Sequence, residues 1–266
     1  MQELIADVKE MLHEQVQYRE LLYQMTRRDL MLRYKQTVMG FGWAIFTPLV
    51  NTIIFSVVFT RVAPLDVGVP YPVYSYAGLL AWNLFASALR FSVNSLTSNT
   101  NLVSKVYFPR EIFPFSTVIV AAVDFLVGAV LLVGLMAYYR ISPSWALLFL
   151  PIVVVVQMIF TAGIALFLAM GNLFYRDVKY LFEVAITVWM FATSVLYPMD
   201  RVGGTLGILL KANPMTPIID AYRRILFRGE LPEPMAFAAV TVVSIALFSF
   251  AWVSFHRAEF QFAENV

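Results

Sequence analysis

The sequence predicts an all-α integral membrane protein with six transmembrane helices. Three observations predict it. The chain has 266 residues, 60% of them hydrophobic and only 14% charged, whereas soluble domains are about 45–50% apolar and about 25% charged. Several uncharged runs reach the roughly 20 residues that a bilayer crossing needs. The charges collect between those runs, with a basic cluster directly before the first. An N-terminal amphipathic interfacial helix and external re-entrant half-helices before the last span complete the expected architecture. Little chain remains for a large soluble domain.

Residues 1–36 are expected to form the interfacial helix, with the membrane domain covering 37–266. Leu4, Val8, Met11, Tyr18, Leu22 and Met25 share one helical face, while Lys9, Glu20, Arg27 and Lys35 lie elsewhere on the wheel. The same stripe also suits a helix packed on its own protein. Arg27, Arg28, Arg33 and Lys35 then lead into an uncharged run from Val38. A basic cluster against a long apolar segment marks the cytoplasmic edge of a bilayer. No short apolar region followed by small residues precedes it, so the first span is expected to act as its own uncleaved insertion signal.

The expected spans are 38–60, 73–97, 115–139, 144–170, 181–197 and 234–255. The first has 23 uncharged residues and would reach about 35 Å as a helix. Pro48 inside it removes a helical hydrogen bond and predicts a kink. The segment 61–72, with Pro64, Pro70 and Pro72, reads as an external loop. Residues 98–114, broken by Pro109 and Pro114, read as a cytoplasmic loop with helical pieces. Residues 171–180 return the chain to the same side. Between 198 and 233 the apolar stretches are too short to cross and suit half-helices. Six spans place both termini on one side, and the short loops assigned to the inside carry the excess of Lys and Arg. The outer segment with Arg201, Lys211, Arg223, Arg224 and Arg228 is the exception.

Several chemistries are missing. There is no GxxxxGK[ST] phosphate loop, no HExxH and no GxSxG. No cysteine is present, and the two histidines, His13 and His256, are too few and too peripheral to predict a metal centre. The intramembrane acids Asp124 and Glu183 are single and on different spans, so hydrogen bonding between helices is the expected role. Arg90 needs a partner, a route to the interface or contact with water. The 23 Phe, 13 Tyr and 5 Trp suit interface belts and helix packing. Trp43, Phe46, Trp189 and Tyr197 are candidates for lining a path through the membrane.

Four motifs now carry a resemblance. The first contains Arg28-Asp29, Arg33-Tyr34-Lys35, Thr37, Gly40, Trp43 and Pro48-Leu49, with Met39 where leucine is more usual. The second is NLVSKVYFPR from Asn101 to Arg110, the third NLFYRDVKY from Asn172 to Tyr180, and the fourth NPMTP from Asn213 to Pro217. In this order they resemble the permease subunits of ABC exporters of cell-surface polysaccharides, the O-antigen and teichoic-acid exporters. The resemblance implies a homodimer in the inner (cytoplasmic) membrane, both termini cytoplasmic, joined to two copies of a separate ATPase subunit. ATP and Mg²⁺ would be bound by that partner, and no cofactor by this chain. The substrate would be a polysaccharide, with membrane lipids around it and no nucleic acid.

The resemblance further implies that coupling to the ATPase falls on Arg28, Asp29, Arg33, Lys105, Tyr107, Phe108, Pro109, Arg110, Arg176 and Asp177. It implies an outer gate in 198–233, with Asn213, Pro214, Arg223 and Arg224. Aromatic rungs suit a glycan path, because sugar C–H faces pack on rings. The bland alternative remains open at each site: basic residues that only meet lipid headgroups. Two other functions also remain open, a permease for small lipids or drugs and a membrane-embedded enzyme of polysaccharide assembly.

Overall fold

The computed structural model describes residues 11, 13–35, 37–40, 42–62, 64–198 and 202–262. Leu4, Val8, Lys9 and Arg201 lie outside them. The described residues are helical, with no strand among them. In order the helices are α1 (Arg19–Tyr34), α2 (Gly42–Val57), α3 (Tyr71–Ser92), the short α4 (Thr100–Lys105) and α5 (Ile112–Tyr138). They continue with α6 (Leu150–Phe174), α7 (Val178–Phe191), α8 (Gly204–Ala212), α9 (Met215–Arg223) and α10 (Pro234–Ala258).

The prolines that interrupt the apolar pattern sit mostly where helices begin. Pro72, Pro151 and Pro234 occupy the first turns of α3, α6 and α10. A first-turn amide has no partner within the helix, so proline loses nothing there. Glu233 caps α10 by accepting from Ala236 N at 2.8 Å. Pro48 lies inside α2, which continues through it.

Among the described residues, four helices are long and apolar enough to cross a membrane: Gly42–Val62, Ile112–Tyr138, Trp145–Phe174 and Pro234–Gln261. The other two expected spans differ from the sequence reading. α3 ends at Ser92 rather than near residue 97, and the chain then turns. Its length is 22 residues, but Ser75, Asn83, Ser87 and Arg90 dilute its hydropathy. α7 has 14 residues, a rise of about 21 Å, short of the roughly 30 Å hydrocarbon core. Residues 192–197, expected at the end of the fifth span, are turns and bends.

α3 is the central helix. It packs against α2, α5, α6, α7 and α9, and almost all its side chains are buried. Its polar neighbours are used between helices. Tyr76 donates to Gly128 O on α5 at 2.9 Å, and Ser92 donates to Ala165 O on α6 at 3.1 Å. Gln157 of α6 donates to Ala81 O at 2.6 Å and accepts from Tyr222 of α9 at 2.7 Å. Each such bond between helices contributes about 0.6 kcal/mol in a bilayer. α10 lies along α6, where a Cβ on Gly163 would come within 3.1 Å of the Phe248 backbone.

A second, smaller core gathers at the end where α1 packs on the start of α5, here the basal end. It holds Met25, Leu96, Val103, Phe108, Phe113, Leu173, Phe255 and Phe262. Tyr18 and Leu22 pack against it, and Met11 is buried. The described part of the stripe, Met11, Tyr18, Leu22 and Met25, therefore packs inward. Outward, the bundle exposes Ile53, Ile54, Leu126, Val130, Val184, Val188, Val242 and Phe250. Apolar surface on that scale needs a non-aqueous cover.

Candidate functional site

Sequence-singled residues collect at two places, the basal end and the opposite, distal end.

At the basal end, the arginines of α1 fix that helix along α5. Arg28 pairs with Asp29 at 2.8 Å, and Asp29 accepts from Ser116 of α5 at 2.7 Å. One turn later Arg33 and Tyr34 both donate to Asp124. The Arg33 guanidinium also lies 3.8 Å over the Phe91 ring of α3. Burial, and then the hydrogen bond to Asp124, push the Tyr34 hydroxyl above its usual range, so it stays a donor. Asp124 thus has the interhelical role expected from sequence. Arg90 finds its partner in Glu183 of α7 at 3.4 Å.

This charged girdle closes one wall of a cavity of about 290 Å³ between α2, α3 and α5. Trp43, Arg33, Asn83, Arg90 and Asp124 line it. Trp43 and Phe46 are partly exposed and meet edge to face at 5.6 Å.

The loop carrying α4 is two-sided. Residues 104–107 are exposed, including Lys105 and Tyr107, the latter 71% exposed. Phe108, Pro109 and Arg110 turn inward. Sequence reading groups Arg110 with the coupling residues, and in the structure its side chain is buried. Its Nη1 donates to Glu259 at 3.0 Å, and its Nε and Nη2 donate to Val103 O at 3.2 and 3.1 Å. A buried guanidinium must find acceptors inside. Arg176 and Asp177 are exposed on the turn between α6 and α7 at the same end. Asn172 holds that turn, accepting from Lys179 N at 3.3 Å and reaching Thr97 at 3.5 Å.

Sequence reasoning missed Glu111, His256 and Glu259. His256 meets Glu111 at 3.3 Å, and the three residues each offer a ligand atom within 4.8 Å of the others. The Arg110 guanidinium already neutralises Glu259, so the group is a charge network before it is a metal cradle. No spacing announces it, since 145 residues separate Glu111 from His256.

At the distal end, α7 stops inside the bundle and leaves carbonyls without helical partners. Side chains supply them. Tyr197 donates to Phe191 O at 2.7 Å, Asn213 to Ala192 O at 2.9 Å, and Tyr71 to Leu196 O at 2.8 Å. Arg223 donates to Ser194 O and, at 2.6 Å, to Val195 O, with its guanidinium 3.8 Å over the Tyr74 ring. The approach is close enough that α3 needs glycine at 78. A Cβ there would collide with Val195 O and stand 2.9 Å from Arg223 Nη2.

Asn213 is the pivot of this break. Its amide also donates to Thr193 at 2.8 Å, and its carbonyl accepts from Trp189 Nε1 at 3.0 Å and Met215 N at 3.1 Å. Pro214 precedes the first turn of α9. Trp189 turns into the bundle, its ring 5.1 Å from Phe85 and 6.5 Å from Phe160. Arg223 is only 7% exposed and meets carbonyls rather than lipid headgroups. Arg224 stays at the surface, paired with Glu230 at 3.4 Å.

Apolar helices bare to the outside, a broken helix capped by side chains, and a charged base together define a multi-pass helical membrane protein with the form of a transport permease. The chain belongs to the ABC-2 type transporter family, whose model matches residues 20–227. It is 29% identical over 258 residues to the O-antigen export system permease protein RfbA of Myxococcus xanthus, covering 96% of this chain and 99% of that one. A Klebsiella pneumoniae protein of the same name is 29% identical over 92% of this chain and 94% of its own. The polysialic acid transport protein KpsM of Escherichia coli is 23% identical over 77% and 81%.

Proposed function

We propose that this chain is the membrane subunit of an ATP-driven exporter that moves a polysaccharide, such as a lipid-linked O-antigen, out across the inner membrane. The observation that carries this is the end-to-end match to permeases named for O-antigen export, 99% of the Myxococcus xanthus protein being covered. The chain contains no phosphate loop, so energy enters from a separate ATPase that binds ATP and Mg²⁺.

The working unit on this reading is two copies of the chain with two ATPase subunits. α3 and α7 complete six spans with the four long apolar helices, and both termini face the cytoplasm. Residues 1–36 lie at the cytoplasmic surface and 37–266 form the membrane domain. The exposed Lys105, Tyr107, Arg176 and Asp177 receive the ATPase. The paired α8 and α9 enter from the outside as re-entrant half-helices and form the gate. Trp43 and Phe46 line the inner mouth.

The test is reconstitution of the chain with its ATPase in vesicles containing lipid-linked polysaccharide. ATP-dependent appearance of the polymer across the bilayer is expected. Movement without any nucleotide-hydrolysing partner overturns the proposal. Transport of small lipids alone replaces the substrate.

A further inference from the structure

The segment after α10, residues 259–262, returns to the loop that carries α4. After α10 the chain makes a single 3-10 turn, Glu259–Gln261. Phe262 is fully buried there, its ring 5.0 Å from Phe255 and 5.9 Å from Phe174. Glu259, also buried, accepts from Arg110 Nη1 at 3.0 Å. The other edge of the same guanidinium holds Val103 O, one of the carbonyls that a six-residue helix leaves without a partner. One side chain thus clips α4 to the tail. The adjacent residue, Glu111, makes a second link between the same two parts, to His256 of α10 at 3.3 Å.

We infer that Glu259 is a positioning residue for energy coupling. Through Arg110 it makes the α4 loop and the base of α10 one rigid body. The inference rests on the proposed function and adds a route to it. A push on Lys105 and Tyr107 reaches α3 and α5 through the chain, and α10 through the apolar core that the loop shares with Phe255 and Phe262. The clip adds a charged link to α10, which runs from this base to residue 234, beyond α9 and the short segment 224–233 that follows it. Separating a buried ion pair leaves a charge without a partner, so the clip is stiff. Packing alone would let α4 rock.

The chain has no cysteine, which allows a direct test. Spin labels are placed at Ser104→Cys and Phe260→Cys, both exposed positions, in the permease–ATPase complex in lipid nanodiscs. With one labelled copy per complex, the distance between its two labels is expected to stay unchanged between nucleotide-free and ATP-trapped states. Glu259→Gln is expected to broaden it. The same variant should lower polysaccharide exported per ATP hydrolysed by roughly fivefold or more, with the KM for ATP and ATPase co-purification unaltered. A wild-type distance that shifts on ATP binding overturns the inference, and so does a Glu259→Gln complex with wild-type export per ATP. The wild-type distance decides the matter even if the variant fails to insert. An ATPase that does not bind the wild-type chain overturns the proposed function instead.

Discussion

Arg33, at the end of α1, forms an ion pair with Asp124 in the interior of α5, and Tyr34 beside it donates to the same carboxylate. Arg33 of the basic cluster and the adjacent Tyr34 therefore satisfy the one acid of the third expected span. Both partners of the pair are mostly buried. Removing one buried partner is expected to destabilise by about 3–5 kcal/mol. Asp124→Ala should lower the thermal unfolding midpoint in detergent strongly. The double variant Arg33→Met with Asp124→Leu should recover most of the loss. Additive losses in that cycle would show the pair to be uncoupled.

Asn213 is expected to govern the distal break. In Asn213→Leu the Ala192 carbonyl and the Trp189 indole N–H lose their partner. Each unmet buried group costs about 1–3 kcal/mol. Hydrogen exchange in residues 189–196 should quicken while that in α5 stays unchanged. Uniform quickening would mean that the effect is global.

Gly78 and Gly134 offer a contrast within one bundle. Gly78→Ala meets Val195 O and Arg223, whereas a Cβ on Gly134 has nothing within 4 Å. Gly78→Ala is expected to lose about 1–3 kcal/mol through overpacking. Gly134→Ala is expected to be neutral or gain up to about 1 kcal/mol from helix propensity. Thermal unfolding of the two variants side by side checks the order.

Arg110 and Tyr107 should separate stability from coupling. Tyr107 is exposed and Arg110 buried. Tyr107→Ala should reduce transport-coupled ATP hydrolysis with no change in unfolding midpoint. Arg110→Ala should reduce both, because Glu259 and Val103 O lose their donor. Equal stability of the two variants would contradict the buried ion pair.

Much of this protein is legible along the chain because the bilayer simplifies the rules. Apolar length marks a crossing helix, and four of the expected spans are helices where hydropathy places them. The four motifs foretell the family that the comparison then shows. α3 and α7 are less legible: α3 is buried by protein and carries polar groups, and α7 is short because its end is capped from other helices. Neither signal is local.

Composition, run length and ordered motifs along the chain point to an all-helical membrane protein, four of its crossing helices, the missing GxxxxGK[ST] motif and its permease family. These are properties of neighbouring residues. Only the tertiary structure decided the partners of the charges: Asp124 with Arg33 and Tyr34, Arg90 with Glu183, Arg223 with the carbonyls of the α7 break, and Arg110 with Glu259. A buried charge takes its partner from whatever folding brings within about 3 Å. In this bundle the partners come from helices far apart in the chain.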